Sequence, residues 1–202
     1  MPGPDIQFWE QRFASGHMPW DRGTANPQLA AWIADGLFAA GERVIVPGCG
    51  AGHELVPLAA RCCRVVGVDY SAAAVARARA ALAAAGHDAE VVEADVLVWQ
   101  PAAPAEIVYE QTCLCALHPD HWAGYAGQLE RWIAPGGRLA ALFMQSRKDV
   151  ADEGWISGPP YHCDIHAMRA LFGGARWQWP APPYARVAHP AGAELAVLLT
   201  RR

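Results

Sequence analysis

The sequence predicts an α/β fold: a doubly wound, mostly parallel sheet of seven strands whose last strand is antiparallel. Apolar, β-branched runs alternate with alanine- and leucine-rich stretches of helical length, as a parallel sheet covered by helices on both faces requires. The last two predicted strands, 175–179 and 193–200, are joined by a loop with three prolines and no helix signal. Because parallel neighbours need a long crossover connection, this final pair should be antiparallel.

The individual elements follow from the hydrophobic pattern and from residues that begin and end helices. Ser71 is a good N-cap for the alanine-rich helix that follows it, and Gly86 ends that helix. The triplet at 135–137, Pro-Gly-Gly, ends the helix before the longest apolar strand. The predicted helices are 5–15, 27–38, 52–62, 71–85, 119–133 and 164–172, and the remaining predicted strands are 43–47, 64–69, 88–93, 105–110 and 138–144. Residues 146–162 are predicted to be irregular, and 1–202 to form one domain.

Length and composition exclude several classes of protein. A chain of 202 residues with 53% hydrophobic content is expected to form one domain with a full core. A net charge of −4, without a basic stripe, argues against nucleic acid as a partner. No apolar stretch has membrane-spanning length, and the first residues lack the pattern of a signal peptide. We therefore expect a cytoplasmic monomer or homodimer that acts on a small molecule, with no membrane partner.

The cysteines and histidines do not predict a metal site. The chain has six cysteines, and most of them fall in predicted buried elements, where cysteine packs as a small hydrophobe. Cys113 and Cys115 have neither the redox spacing nor the paired spacing of a zinc site. His162 and His166 are four residues apart and would face the same way on a helix, but no third ligand is evident.

The loop after the first predicted strand is the strongest functional signal. The strand at 43–47 runs into Gly48-Cys49-Gly50-Ala51-Gly52, where glycine allows the backbone to turn sharply and to approach a ligand closely. The second strand ends at Asp69, where an α/β sheet places an acid that binds a ribose. His53 stands where the dinucleotide motif has its third glycine. A nucleoside-containing cofactor is therefore predicted, although the glycines alone would also fit a tight turn.

This glycine pattern resembles motif I of the class I methyltransferases that use S-adenosylmethionine (SAM), a cofactor without phosphate. The rest of the chain, up to about residue 172, resembles the thiopurine methyltransferase superfamily, and especially its halide and thiol methyltransferase branch. The segments that carry the resemblance are Phe8 to Phe13, Pro19 to Gly23, Asn26-Pro27, Val46 to Gly50, Gly67 to Asp69, Thr112 to Leu117, Leu129 to Gly137 and Gly158 to Tyr161.

The resemblance implies SAM as the cofactor and an N-terminal segment, 1–26, that folds over it as a lid. The implied cofactor-binding residues are Trp9, Phe13, Trp20, Pro47, Gly48, Gly50, Asp69, Tyr70, Ala94, Asp95, Val96 and Gln111. Asp69 would bind both ribose hydroxyls, and residues 94–96 would contact the adenine. Three other tryptophans, Trp32, Trp132 and Trp177, are expected in the core.

Three residues are catalytic candidates. Glu110 and Gln111 follow the fourth strand, where the resemblance places them beside the sulfonium of SAM. His162 is a candidate base, with His118 as the alternative, if the reaction needs one. Relatives of the thiopurine branch carry an arginine in the segment that reads His121-Trp122 here, which argues against an anionic or thiopurine acceptor.

The predicted function is methyl transfer from SAM to a small nucleophile, preferably a thiol. A thiol has a pKa of about 8.5 and is already partly ionised at neutral pH, so it needs no strong general base. Methylation of oxygen or nitrogen on the same fold is one alternative, and a SAM-binding protein without catalysis is another. A dehydrogenase that uses NAD is disfavoured, because its domain has six parallel strands.

Overall fold

The computed structural model describes residues 3–61, 63–146 and 157–202, so most of the segment predicted to be irregular lies outside the described residues. Its helices are α1 (Ile6–Ser15), α2 (Pro27–Ala34), α3 (Leu55–Ala60), α4 (Ala72–Ala84), α5 (Trp122–Trp132) and α6 (Ile165–Leu171). Its strands are β1 (Arg43–Pro47), β2 (Arg64–Asp69), β3 (Glu90–Glu93), β4 (Ala105–Gln111), β5 (Ile133–Ser146), β6 (Trp177–Gln178), β7 (Ala185–His189) and β8 (Gly192–Arg201). Two short 3-10 turns, Leu114–Ala116 and Pro119–His121, lie between β4 and α5.

The strands form one mixed sheet in the order β3-β2-β1-β4-β5-β8-β6, with β7 paired to β8. Strands β1 to β5 are parallel, and β8 is antiparallel to β5, β6 and β7. The predicted α/β fold and its antiparallel end are confirmed. The predicted number of seven strands is wrong, because the described residues form eight. The missed strand, β7, directly follows the prolines and is short and mostly exposed, so its sequence lacks a clear apolar pattern.

Most element boundaries agree with the prediction to within a few residues, but β5 begins five residues earlier than the predicted 138. The strand passes through the Pro-Gly-Gly triplet, where the pairing register with β4 shifts between Ala105 and Ile107. Gly136 has φ 76°, and a Cβ on Gly137 would lie 2.9 Å from the carbonyl oxygen of Glu106. The glycines therefore form an irregularity within the strand, and the helix before it ends earlier, at Trp132.

Apolar side chains are buried on both faces of the sheet. Along β1, Val44 and Val46 belong to the cluster that contains α2, α3 and α4, whereas Ile45 belongs to the cluster that contains α5 and α6. Burial on both faces is what a parallel sheet covered by two helical layers requires. The tryptophans expected in the core are confirmed there: Trp32, Trp132 and Trp177 are 8%, 0% and 3% exposed.

The histidines and cysteines that the sequence offered as metal ligands are not grouped as a metal site among the described residues. His162 precedes α6, so His162 and His166 do not share a helix, and the described residues contain no group of three or more potential metal ligands. Cys49, Cys113, Cys115 and Cys163 are buried with free thiols, and Cys63 is buried as well. Within the described ranges, no helix is both long and apolar enough to cross a membrane.

Candidate active site

A cavity of about 1070 Å³ opens where the parallel strands end, between the loops after β1 to β4 and the N-terminal segment. An open α/β sheet binds its ligands at this edge. Among the predicted cofactor-binding residues, those that line the cavity are Trp9, Phe13, Trp20, Gly48, Gly50, Asp69, Tyr70, Ala94, Asp95, Val96 and Gln111. Pro47, Glu110 and His162 are not among the lining residues.

The loop after β1 presents bare backbone to the cavity. Gly48 and Gly50 have φ 57° and 52°, a region that side chains disfavour. A Cβ on Gly48 would lie 2.9 Å from the Cβ of Cys113, and a Cβ on Gly50 would lie 3.3 Å from the ring of Phe13. Both positions therefore require glycine, which keeps the backbone accessible to a ligand.

Asp69, at the end of β2, has a buried carboxylate that retains free lone pairs. Its Oδ2 accepts a hydrogen bond from Gly50 N at 3.0 Å, and its Oδ1 accepts one from Ser71 N at 3.0 Å. Burial raises the pKa of Asp69, whereas these backbone hydrogen bonds lower it. A carboxylate can accept about four hydrogen bonds, so two sites remain for a pair of hydroxyls. Ribose of SAM fits this arrangement.

The N-terminal helix α1 is tied to the start of α4. The carboxylate of Glu10 accepts hydrogen bonds from Ser71 Oγ at 2.6 Å and from Ala73 N at 3.2 Å. These hydrogen bonds lower the pKa of Glu10, and the bond from Ser71 has the largest effect. Arg77 Nε donates to the carbonyl oxygen of Phe13 at 2.8 Å. Hydrogen bonds from side chains of both helices therefore hold α1 beside the cavity.

Aromatic rings from this segment meet each other along the cavity. Trp20 makes edge contacts with Trp9 at 5.3 Å and with Phe13 at 5.9 Å between ring centroids. Phe8 contacts Trp9 at 5.0 Å. Pairs of this geometry are favourable beyond the area they bury. The rings therefore form an apolar wall that can exclude water from a bound cofactor.

At the end of β4, the amide of Gln111 is fixed from both sides. Its Oε1 accepts from Tyr109 OH at 2.8 Å, and its Nε2 donates to Glu194 Oε1 at 3.4 Å. Glu194 is fully buried on β8, where it also accepts from Asn26 Nδ2 at 2.8 Å and lies 3.6 Å from Arg22 Nη2. Glu194 is not among the predicted site residues, although a single carboxylate within the apolar run 193–199 is a signal that indicates it.

The other two catalytic candidates lie away from the cavity wall. Glu110 is buried beneath it and accepts a hydrogen bond from Leu114 N at 2.6 Å, and burial raises its pKa to about 7. His162 is exposed. His118, the alternative base, does line the cavity, and its ring packs on Tyr161 at 5.4 Å. Catalytic roles for these residues remain predictions.

Replacing Glu194 with glutamine should change how stability depends on pH. Burial, together with the charge of Glu54, raises the pKa of Glu194 from 4.5 to about 7. Its hydrogen bonds and the charge of Arg22 lower the pKa but do not outweigh burial. The folded protein then binds more protons than the unfolded chain between these values, so stability is lost as the pH rises through this window. E194Q removes that loss, and its unfolding free energy relative to wild type should increase by up to about 3 kcal/mol from pH 4 to pH 8.

Urea denaturation at both pH values measures this difference. The matched control is E130Q, because Glu130 pairs with Arg176 at the surface. A difference between E194Q and wild type that is the same at both pH values would contradict a raised pKa.

The glycine loop, the acid that ends β2 and the antiparallel end of the sheet define a class I SAM-dependent methyltransferase. The solved structure of magnesium protoporphyrin IX methyltransferase from Synechocystis with bound SAM has the same fold, with a TM-score of 0.73 at 18% identity over 100% of both chains. The family model for thiopurine S-methyltransferase matches residues 4–190, and the chain belongs to that family. Its methyl donor is SAM.

Curated relatives lie in both branches of the superfamily, which confirms the resemblance. Probable thiol methyltransferase 2 of Arabidopsis thaliana is 32% identical over 160 residues, which cover 78% of this chain and 67% of the relative. Thiopurine S-methyltransferase of Vibrio parahaemolyticus is 27% identical over 183 residues, which cover 84% of this chain and 82% of the relative.

Proposed function

We propose that the protein transfers the methyl group of SAM to the sulfur of a small thiol. The observation that carries the proposal is that the two carboxylates next to Gln111 are hydrogen-bonded and do not line the cavity. Glu110 is held by Leu114 N, Glu194 is held by Asn26 and Gln111, and neither lines the cavity. An oxygen or nitrogen acceptor commonly needs a base, whereas a thiol is already partly ionised near neutral pH. The name of the Arabidopsis relative supports the same acceptor.

In this proposal the cavity has a cofactor end and an acceptor end. The glycine loop, Asp69 and residues 94–96 follow β1, β2 and β3 and would hold SAM, with Pro47 and Tyr70 beside them. The acceptor end lies on the other side of Gln111, where Met144 of β5 and the turn between β7 and β8 complete the wall. When bound, SAM supplies an electrophilic methyl group on a sulfonium.

The chain itself contributes alignment and exclusion of water. Gln111, held by Tyr109 and Glu194, would orient the reacting groups in line, and the wall formed by Trp9, Phe13 and Trp20 would keep the thiolate desolvated. We place the enzyme in the cytoplasm as a monomer or homodimer acting on small molecules, which suits the buried free thiols of Cys49, Cys113, Cys115 and Cys163. Methylation of oxygen or nitrogen, with His118 or His162 as base, is the alternative.

The pH dependence of kcat/KM separates these chemistries. With a thiol acceptor, kcat/KM should rise with pH until the pKa of the acceptor is passed, because the thiolate is the nucleophile. A more acidic thiol should move the inflection down by the difference between the two pKa values. An inflection that stays fixed across acceptors and disappears in His118→Gln or His162→Ala would show that an enzyme base is required, and would overturn the proposal.

A further inference from the structure

Two N–H groups at the acceptor end of the cavity have no acceptor. Within the described part of the chain, Arg22 Nε and His189 Nε2 are both buried and make no hydrogen bond. Both residues line the cavity, and His189 is only 7% exposed. Leaving a buried N–H group unpaired destabilises the protein, so a pair of them at one wall requires an explanation.

The two side chains lie next to each other and are held in place by other contacts. Arg22 Nη2 donates to the carbonyl oxygen of Ala188, the residue before His189, and lies 3.6 Å from Glu194 Oε2. The ring of His189 is fixed by Ala191 N, which donates to Nδ1 at 3.1 Å. Because Nδ1 is the acceptor, a neutral His189 carries its proton on Nε2.

Electrostatics keeps both groups as donors. Burial, and then the charge of Arg22, lowers the pKa of His189 to about 4, so the ring is neutral at pH 7 and Nε2 is a donor and not a base. Glu194 offsets the charge of Arg22 only in part, since its own pKa is raised to about 7. Two other carboxylates are nearby: Asp21 lies 2.9 Å from His53 Nε2, and Glu54 accepts a hydrogen bond from Asn26 N at 3.1 Å. This wall therefore offers two unpaired N–H donors, one of which belongs to a guanidinium.

We propose that Arg22 and His189 form a subsite for a second functional group of the methyl acceptor, a hydrogen-bond acceptor and preferably a carboxylate. The substrate class is then a small thiol that also carries a carboxylate, held by its tail while its sulfur lies toward Gln111. The proposal rests on the proposed function and restricts its acceptors to thiols that carry a second polar group. The expectation against an anionic acceptor was based on the lack of an arginine at His121-Trp122, and Arg22 provides a cation from a different segment.

The test compares three thiols of similar length at one pH: 3-mercaptopropionate, its methyl ester and 1-butanethiol. The wild-type enzyme should prefer the acid over butanethiol by about ten- to a hundredfold in kcat/KM, because the acid makes one or two charge-assisted hydrogen bonds that butanethiol cannot make. The value for the ester should lie between them. R22M and H189N should reduce that ratio to about threefold or less. Asparagine at position 189 keeps an oxygen that can accept a hydrogen bond from Ala191 N. R22K is a second variant at Arg22, and it retains the positive charge.

Controls separate this subsite from a structural role. R176M breaks an arginine–glutamate pair at the surface, outside the cavity, and should leave the ratio between acid and butanethiol unchanged. If Arg22 only fastened β7 to the N-terminal segment, R22M would lower the melting temperature but preserve the ratio. That result, or equal kcat/KM for the three thiols in the wild-type enzyme, would overturn the subsite while leaving thiol methylation intact.

A binding measurement distinguishes failure of the subsite from failure of the proposed function. Calorimetry with 3-(methylthio)propionate, the product from the acid, needs no turnover. Loss of about tenfold or more in affinity in R22M would support the subsite even if no thiol were methylated, in which case only the proposed function would fail. Affinity that is indifferent to both R22M and H189N would contradict the subsite whatever the activity.

Discussion

Replacing Asp69 with alanine is expected to weaken SAM binding by about ten- to a hundredfold or more. The carboxylate has two acceptor positions left after Gly50 N and Ser71 N are bonded, and each hydrogen bond from a hydroxyl to a charged group contributes about 1.5–3 kcal/mol. D69A also removes the acceptor for Ser71 N, so the melting temperature should fall as well. Calorimetric titration with SAM, together with thermal unfolding, measures both effects.

The matched control is Asp164→Ala. Asp164 caps α6, and its carboxylate accepts hydrogen bonds from His166 N at 2.9 Å and from Ala167 N at 3.0 Å, outside the cavity. D164A should therefore lower the melting temperature with little change in SAM affinity. If D69A behaved like D164A, with normal affinity at reduced stability, Asp69 would be a structural carboxylate and the cofactor site would be wrongly placed.

Removing residues 1–15 should leave a folded protein that has lost roughly a hundredfold or more of its activity. Phe13 is buried, but it belongs to neither of the two clusters that pack on the sheet, so the core does not depend on α1. The same helix contributes Trp9 and Phe13 to the cavity wall, and without them water reaches the reacting groups and their alignment is lost. Truncation after residue 15 keeps Arg22 and Asn26, so the contacts of Glu194 remain.

A milder variant tests whether the helix acts as a lid. Glu10→Gln weakens the tie to Ser71 and Ala73 while all the aromatic rings remain. It should give an intermediate loss of activity, and SAM should protect amides of residues 6–24 from hydrogen exchange more strongly in the wild type than in E10Q. A truncated protein with normal turnover, or exchange in this segment that does not respond to SAM, would contradict the lid.

The fold could be predicted from the sequence because its signals are local. The glycine loop after β1, the apolar run that ends at Asp69 and the N-cap Ser71 each determine short stretches of backbone, and the structure places them as expected. The antiparallel end followed from the prolines between the last strands. In contrast, β7 has no apolar pattern of its own and forms only because β8 offers a partner, so its sequence alone could not show it.

The acceptor end was harder to predict because it is assembled from residues far apart in the chain. Gln111 meets Glu194, 83 residues later, and Arg22 meets Ala188 of β7, 166 residues away. Neither pairing has a spacing that a sequence motif could record. His162 was proposed as a base because it follows a Gly-Pro-Pro-Tyr segment, but the backbone there turns Tyr161 inward and leaves His162 exposed.

The formation of S-adenosylhomocysteine with a panel of acceptors tests the central claim most directly. The panel contains small thiols with and without a carboxylate, thiocyanate, a thiopurine, a phenol and an amine, each incubated with the enzyme and SAM. We predict stoichiometric S-adenosylhomocysteine and S-methylated product with the thiols, and little or none with the phenol and the amine. S-adenosylhomocysteine formed with the phenol or the amine alone, or SAM binding without product from any acceptor, would contradict it.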